Sequence, residues 1–264
     1  MTHTHSIFAG DVAHAPPRVR TIGIADLKDA LARGIDDFAA MPSHAILLCL
    51  IYPIAGLFLA RLTWGYDVLP MLYPIAAGFA LIGPFAAIGL YELSRRREQG
   101  LDVSWEHAFE VFRSPSSGAI AALAVLLTII FFVWLAVAQD IYVANFGYAP
   151  AASIPEFARQ VFTTPAGWTL IVVGNVVGFV FALLVFTLSV VSFPLLLDRD
   201  VGAADAILTS VRAVAANPLT MAVWGLIVAG LLVIGSLPLF FGLAIVMPVL
   251  GHATWHLYRK VVEP

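Results

Sequence analysis

The chain reads as all-α: a polytopic membrane helix bundle, six transmembrane helices arranged as three hairpins, with short amphipathic interfacial helices between them. Three observations predict this. Of its 264 residues 61% are hydrophobic and 12% charged, with a mean hydropathy of +0.92, which is too apolar for a soluble domain of this length to cover with polar surface. The apolar residues gather in runs of about 18 to 40 with almost no charge, the length scale of a bilayer core. The basic residues fall largely on one side of those runs.

Charge and cysteine content narrow the function classes. With 14 basic and 17 acidic residues the net charge is −3, so no nucleic-acid partner and no generally basic surface is expected. The single cysteine, Cys49, allows no intramolecular disulfide and sits in an apolar run, where it reads as a reduced, packed thiol. The first 40 residues are polar and no small-residue cleavage site follows the first apolar run, so the N-terminus is expected to be retained. This divides the chain into a polar tail, 1–22, and a membrane domain, 23–264.

The spans are expected at about 45–62, 69–93, 119–138, 168–197, 219–236 and 238–258. The last two come from one apolar stretch of 40 residues, Leu219 to Tyr258, which at 1.5 Å per residue would be roughly 60 Å long, twice the bilayer core. It must fold back once, and Gly235, Ser236 and Pro238 supply turn chemistry at its midpoint. The fourth run, 30 residues long, must tilt, protrude or bend near Pro194.

Orientation follows from the cations. Arg18, Arg20, Lys28 and Arg33 precede the first span, and Arg95, Arg96, Arg97 and Arg113 follow the second. Arg199 and Arg212 follow the fourth, and Arg259 and Lys260 close the chain. Only Arg61 and Arg159 of the 14 lie on the other side, so both termini are expected in the cytoplasm.

The chain also aligns with itself. Ala30 to Pro42 matches Ala206 to Pro218, and Pro84, Tyr91, Leu93, Arg95 and Arg96 match Pro248, Trp255, Leu257, Arg259 and Lys260 at equal spacing. A looser copy runs from Trp105 through Arg113 and Pro115 to Pro194 and Asp198-Arg199-Asp200. The expected units are about 26–101, 102–200 and 201–260: a short helix, a proline, two spans and a charged stop.

Each short helix carries an apolar stripe: Leu27, Leu31, Ile35 and Phe38 in the first, Trp105, Phe109 and Phe112 in the second, Ala204, Ile207, Val211 and Val214 in the third. Two placements fit such stripes, along the cytoplasmic interface or packed on the inner ends of the spans. An outer element is expected where Ser153-Ile154-Pro155-Glu156 opens a helix with Ile154, Phe157, Val161 and Phe162 on one face. In the fourth span Gly174, Asn175 and Gly178 form a small-x-x-x-small face for close helix packing, with Asn175 able to hydrogen-bond across it.

Reactive groups are few. Glu92 is the deepest acid, and Arg95 and Arg96, three and four residues on, read as its ion-pair partners rather than as parts of a proton path. Asp140 and Gln139 mark the outer end of the third span. His252 and His256, at i and i+4, share one helix face and are the candidate metal ligands, although they could not bind one haem from opposite sides. Against that reading, His256 would snorkel to the interface and His252 would hydrogen-bond to a neighbouring helix. His3, His5 and His14 fall in the polar tail. No His-Glu-x-x-His, Gly-x-Ser-x-Gly, phosphate loop or cysteine pair occurs, and Ser189 and Ser192 have no adjacent base. No cofactor and no catalytic residue is therefore expected.

The run Phe193-Pro194-Leu195-Leu196-Leu197-Asp198-Arg199-Asp200-Val201-Gly202, followed by Ala206, Ser210 to Val214 with Arg212, and Asn217-Pro218, resembles a cytoplasmic signature of uncharacterised bacterial six-helix inner-membrane proteins. From about Thr21 to Val262 the chain is similar to that family of predicted integral membrane proteins with a domain of unknown function, sometimes loosely labelled cytochrome c oxidase subunit I-like. A similar segment occurs in the membrane part of some glycerophosphodiester phosphodiesterases. The resemblance implies a fold and a bacterial inner-membrane location, and carries no established activity or site residues. The oxidase label fails as a statement of activity, because such a subunit needs about twelve spans and intramembrane histidines on several helices. The expected function is a non-enzymatic structural or accessory membrane component that contacts the lipid bilayer and a membrane-protein complex or a second copy of itself. The alternatives are a small permease or channel for an uncharged or lipid-like solute and, more weakly, haem or metal binding beside a respiratory complex.

Overall fold

A computed structural model describes residues 17–42, 54, 69–71, 73–76, 83, 87–148, 153–238 and 240–263. The first expected span, Ile54 apart, and ten residues of the second lie outside the described residues. What is described is helical: α1 (Ile24–Ala40), α2 (Ile88–Glu98), a nine-residue 3₁₀ helix (Trp105–Arg113), α3 (Ser117–Phe146), α4 (Ile154–Thr163), α5 (Pro165–Ser189), α6 (Ser192–Asp198), α7 (Ala203–Ala216), α8 (Pro218–Ser236) and α9 (Leu243–Val261). No strand occurs among the described residues, where the sole extended pairing is the antiparallel bridge between Val19 and Val262.

Among the described residues three helices are long and apolar enough to cross a membrane: Ser117–Phe146, Pro165–Asp198 (α5 with α6) and Pro218–Ser236. They bury few of their own residues, and Val125, Ile129 and Phe132 on α3, Val172, Val176, Phe179 and Val180 on α5, and Leu226, Val233 and Ile234 on α8 are all more than half exposed. Side chains of that kind stand outward only where the surroundings are themselves apolar. The expected count of six spans is not reached among the described residues. The sixth, expected at 238–258, falls on the helix Leu243–Val261, in which Pro248, His252, His256, Arg259 and Lys260 lower the hydropathy. Its last three turns are buried in protein: Leu250, Ala253, Trp255, Leu257, Tyr258 and Val261 are at most 5% exposed.

Local chemistry explains the element ends. Thr164 caps α5 by accepting from the Gly167 amide, and Ser153 caps α4 from the Glu156 amide, each with proline in the first turn, where a missing N–H costs nothing. The long fourth run breaks at Val190–Val191, and the short α6 that follows is almost wholly buried. The bend is bound by side chains. Ser192 donates to the Leu188 and Ala206 carbonyls, while Ser210 donates to the Thr187 carbonyl and accepts from the Val191 amide. Between α8 and α9 the chain reverses with Gly235 and Gly242 in van der Waals contact; a Cβ on Gly242 would lie 2.7 Å from the Gly235 carbonyl oxygen. That is the turn expected at Gly235-Ser236-x-Pro238, with the second helix starting at Leu243.

The short helices pack on other helices: α1 on α9, the 3₁₀ helix on α2, and α7 on α5 and α6. Their most buried faces overlap the expected stripes only in part: Leu27 is buried and Leu31, Phe38, Ile207 and Val214 pack at the flanks. On α1 the residues turned inward are Leu27, Ala30, Gly34 and Asp37, while Ile35 is 49% exposed. On α7 they are Ala206, Thr209, Ser210 and Ala213. Small residues win because these helices approach a neighbour at backbone distance, and bulk is left to the flanks. Trp105–Arg113 is 3₁₀ rather than α, so its buried residues, Ala108 and Val111, recur every three, and Trp105 and Phe109 stand out at 43% and 50% exposure, edge to face with each other.

Candidate functional site

The junction of α1, α2 and α9 encloses a polar cluster. On α1, Asp37 lies on the inward face and is 3% exposed; Ser94 of α2 and His252 of α9 are fully buried, and His256, one turn further on α9, is 8% exposed. The close packing of helices brings them together. A Cβ on Gly34 would stand 2.6 Å from the Ala253 Cβ and backbone nitrogen, so that contact requires glycine, and one on Gly251 would stand 2.5 Å from Leu90 Cδ1, so Leu90 would have to shift. At that separation side chains one turn away on facing helices meet.

Ser94 Oγ donates to Asp37 Oδ2 at 2.6 Å and lies 2.7 Å from His252 Nδ1. A hydroxyl has one proton, so with that proton on Asp37 the serine accepts from Nδ1–H of His252. His256 Nε2 lies 2.8 Å from the same Asp37 Oδ2, and a carboxylate only accepts, so Nε2 carries the proton. Arg97 completes the set by donating to Asp37 Oδ1. Burial alone would raise the Asp37 carboxyl, but the hydrogen bonds from His256, Ser94 and Arg97 outweigh it and hold it below the ordinary aspartate range. His252 Nε2 has no hydrogen-bond partner among the described residues.

The two histidines thus share a face, as their spacing requires, but each ring is already committed to a neighbouring helix. His256 does not snorkel to the interface, because Asp37 holds it inside. Among the described residues no group of three or more His, Cys, Asp or Glu is disposed to hold a metal ion. Asp37, Ser94 and Arg97 complete the cluster and were not singled out by sequence. The available signal was an acid on the small-residue face of an amphipathic helix, and a serine directly before three arginines.

The remaining residues singled out by sequence are dispersed. Glu92, 2% exposed, is held by Arg95 in a two-pronged pair at 2.8 and 2.9 Å, and Arg96 lies 3.9 Å away. Asp198 accepts from the Tyr258 hydroxyl at 2.7 Å and from Arg259 at 3.3 Å. Arg199 donates to the Glu263 carbonyl, which ties α6 to the end of the chain. Asn217 accepts from the Ile22 amide at 2.7 Å and donates to the Arg20 and Ala213 carbonyls, and Pro218 opens α8. Pro194 is buried in α6. In α5 a Cβ on Gly178 would stand 3.1 Å from the Trp134 ring, Gly174 has no atom within 4 Å of such a position, and Asn175 accepts from the Tyr73 hydroxyl at 2.8 Å.

Two clefts open near these groups. One of ≈ 320 Å³ lies between the 3₁₀ helix and α6, where Glu92, Arg95, Arg113, Asp198, Arg199 and Asp200 face one another. A larger one, ≈ 640 Å³, is lined by Pro17, Arg18, Val19, Arg212, Ala215, Ala216 and Glu263.

Residues 72–198 match the family described as predicted integral membrane protein (DUF2189), a domain of unknown function, in agreement with the family that the 193–218 signature resembles. The matched range covers α2 through α6, including Ser94 and Arg97 but not Asp37 or the two histidines. No curated protein and no solved structure matches the chain.

Proposed function

We propose that the protein is a non-enzymatic structural or accessory component of a bacterial cytoplasmic membrane, built as three helical hairpins with both chain ends in the cytoplasm. One observation carries this reading: the charged groups that reach the interior at the inner ends of the helices are spent on each other. Asp37 is taken by Arg97, His256 and Ser94, Glu92 by Arg95, and Asp198 by Tyr258 and Arg259. The products of this pairing are joints between helices. Among the described helices they fasten the first to the last, an arrangement suited to holding shape.

Burial supports the repeat. Ala30 and Ala206, Gly34 and Ser210, Asp37 and Ala213, and Met41 and Asn217 are buried as pairs; so are Tyr91 and Trp255, and Leu93 and Leu257. Packing supports it as well. The 3₁₀ helix of the second unit rests on α2 of the first, α7 of the third on α5 and α6 of the second, and α1 of the first on α9 of the third. Each unit so leans on the one before, and the α1–α9 contact closes the ring. The two cytoplasmic ends follow from twelve of the 14 cations lying on one side of the spans.

Two measurements test the proposal. Single-cysteine chains, with Cys49→Ser and either Ser236→Cys or Tyr148→Cys, should react with a membrane-impermeant maleimide on intact spheroplasts; protection of both would overturn the topology. Affinity purification in mild detergent should recover a stoichiometric protein partner or a defined homo-oligomer. A chain that emerges alone and monomeric would overturn the accessory role.

A further inference from the structure

Thirteen of the 14 basic residues are described, and nine of them lie within 4.0 Å of a carboxylate. The four left over, Arg18, Lys28, Arg113 and Arg212, are exposed, and their side chains have no hydrogen-bond or ion-pair partner among the described residues. Two of these four, Arg18 and Arg212, line one cleft, although they are 194 positions apart in sequence. The N-terminal segment is brought there by specific bonds: the Arg20 amide donates to the Val261 carbonyl at 2.7 Å, the Glu263 amide to the Arg18 carbonyl at 3.0 Å, and Asn217 anchors Arg20 and Ile22. The fold therefore gathers two unneutralised guanidinium groups at one place.

The cleft has a position as well as a charge. Ala215 and Ala216 on its wall end α7, and α8 begins two residues later at Pro218. From there an exposed apolar stripe climbs α8: Leu219 at 75%, Leu226 at 72% and Val233 at 62% exposure. Successive steps of seven keep these residues on one face, and from Leu219 to Val233 the helix rises about 21 Å, more than one leaflet of a roughly 30 Å core. The C-terminal end of α7 and the N-terminal end of α8 meet at the foot of the stripe, so their dipoles oppose and the arginines set the local sign. Glu263 is the carboxylate on the wall, and Arg20 Nε stands 3.9 Å from it, which partly offsets its charge.

We propose that this cleft binds the phosphate of an acidic phospholipid, with the headgroup between Arg18 and Arg212 and the acyl chains along the Leu219–Leu226–Val233 stripe of α8. The guanidinium fork matches phosphate oxygens in geometry and charge, and the cleft volume, ≈ 640 Å³, is in the range of small-ligand sites. The inference deepens the structural reading above and rests on it, because it requires the foot of α8 to lie at a membrane interface.

The test uses the full chain in nanodiscs of phosphatidylcholine with one-fifth phosphatidylglycerol, and reads by mass spectrometry the phosphatidylglycerol retained after transfer to neutral detergent. The native chain should retain phosphatidylglycerol over phosphatidylcholine. Arg18→Gln and Arg212→Gln should each lower that preference about fivefold at low ionic strength, the two effects compounding in the double variant. Lys28→Gln, which removes an equally exposed and unpaired cation outside the cleft, should leave it unchanged. Equal loss in Lys28→Gln, or full retention in the double variant, would overturn the site. Saturable binding of inorganic phosphate that Arg18 and Arg212 support, with no preference between the lipids, would overturn the lipid source. Failure of the native chain to enter the nanodiscs at all would overturn the membrane reading beneath the proposal, a result separate from the others.

Discussion

Gly34 and Ala253 stand so close that a methyl group added at Gly34 would lie 2.6 Å from both the Cβ and the backbone nitrogen of Ala253. The second of these atoms is main chain and cannot swing away. Gly34→Ala should therefore push α1 off α9 and destabilise the folded state by ~1–3 kcal/mol, the usual cost of overpacking. Gly230→Ala is the control, since nothing lies within 4 Å of the added methyl. Thermal midpoints in one detergent should fall for the first substitution and hold or rise slightly for the second.

Asp37 is the acceptor on which the α1–α2–α9 junction converges, so Asp37→Asn keeps the shape and removes the charge. Breaking a fully buried pair costs about 3–5 kcal/mol, but the Arg97 side chain is 42% exposed and water screens part of the interaction. A loss of ~1–3 kcal/mol is expected, read as a lower thermal midpoint.

The same residue sets a pH dependence. Its folded-state pKa lies below the ordinary aspartate value of 3.8, so its contribution is fully present above pH 3.8 and is lost as pH falls through the lower folded value. Asp29, held down chiefly by the hydrogen bond from Lys260, acts in the same direction. Between pH 3.8 and 2 the native chain should lose more stability than Asp37→Asn does, and acid titrations of the two thermal midpoints should converge. Parallel curves would count against Asp37 as a titrating joint.

Glu92 depends on Arg95 more than on Arg96, since its bonds to Arg95 are 2.8 and 2.9 Å and Arg96 lies at 3.9 Å. Arg95→Gln leaves a carboxylate that is 2% exposed with one distant cation, at a cost of ~2–4 kcal/mol. Arg96→Gln should cost less than half as much, and Glu92→Gln combined with Arg95→Gln should recover part of the loss in a double-mutant cycle of thermal midpoints.

Asn217 is the knot that holds the N-terminal segment, through the Ile22 amide and the Arg20 carbonyl. Asn217→Ala would leave those buried groups unpaired, at ~1–3 kcal/mol each. The expected readout is local: faster tryptic cleavage after Arg18 and Arg20, with cutting after Arg159 unchanged.

Legibility in the sequence tracked the range of the interaction. The Glu92–Arg95 pair, the cap at Ser153 and the turn at Gly235-Ser236-x-Pro238 all join residues close in the chain, and spacing alone pointed to them; the cap at Thr164 is equally local and was not singled out. The stripe on α1 is a real periodicity, and Leu31 and Phe38 pack part-buried against the core, but it is not the face in closest contact with α9. Leu31, Ile35 and Phe38 are its bulky members, yet the helix turns Ala30, Gly34 and Asp37 inward because α9 comes too near for bulk. His252 and His256 were legible as a pair sharing a face, whereas their partners, Ser94 and Asp37, lie 158 and 219 positions away. No local pattern encodes such a distance.

By itself the sequence determined that this chain is helical and needs lipid, because both follow from composition and period: apolar runs of span length must find an apolar surrounding and must satisfy their backbone within the helix. Only the tertiary structure decided which small faces meet, which acid takes which cation, and which cations are left free. Those outcomes depend on distances between helices far apart in the chain, and such distances exist only once the helices have packed.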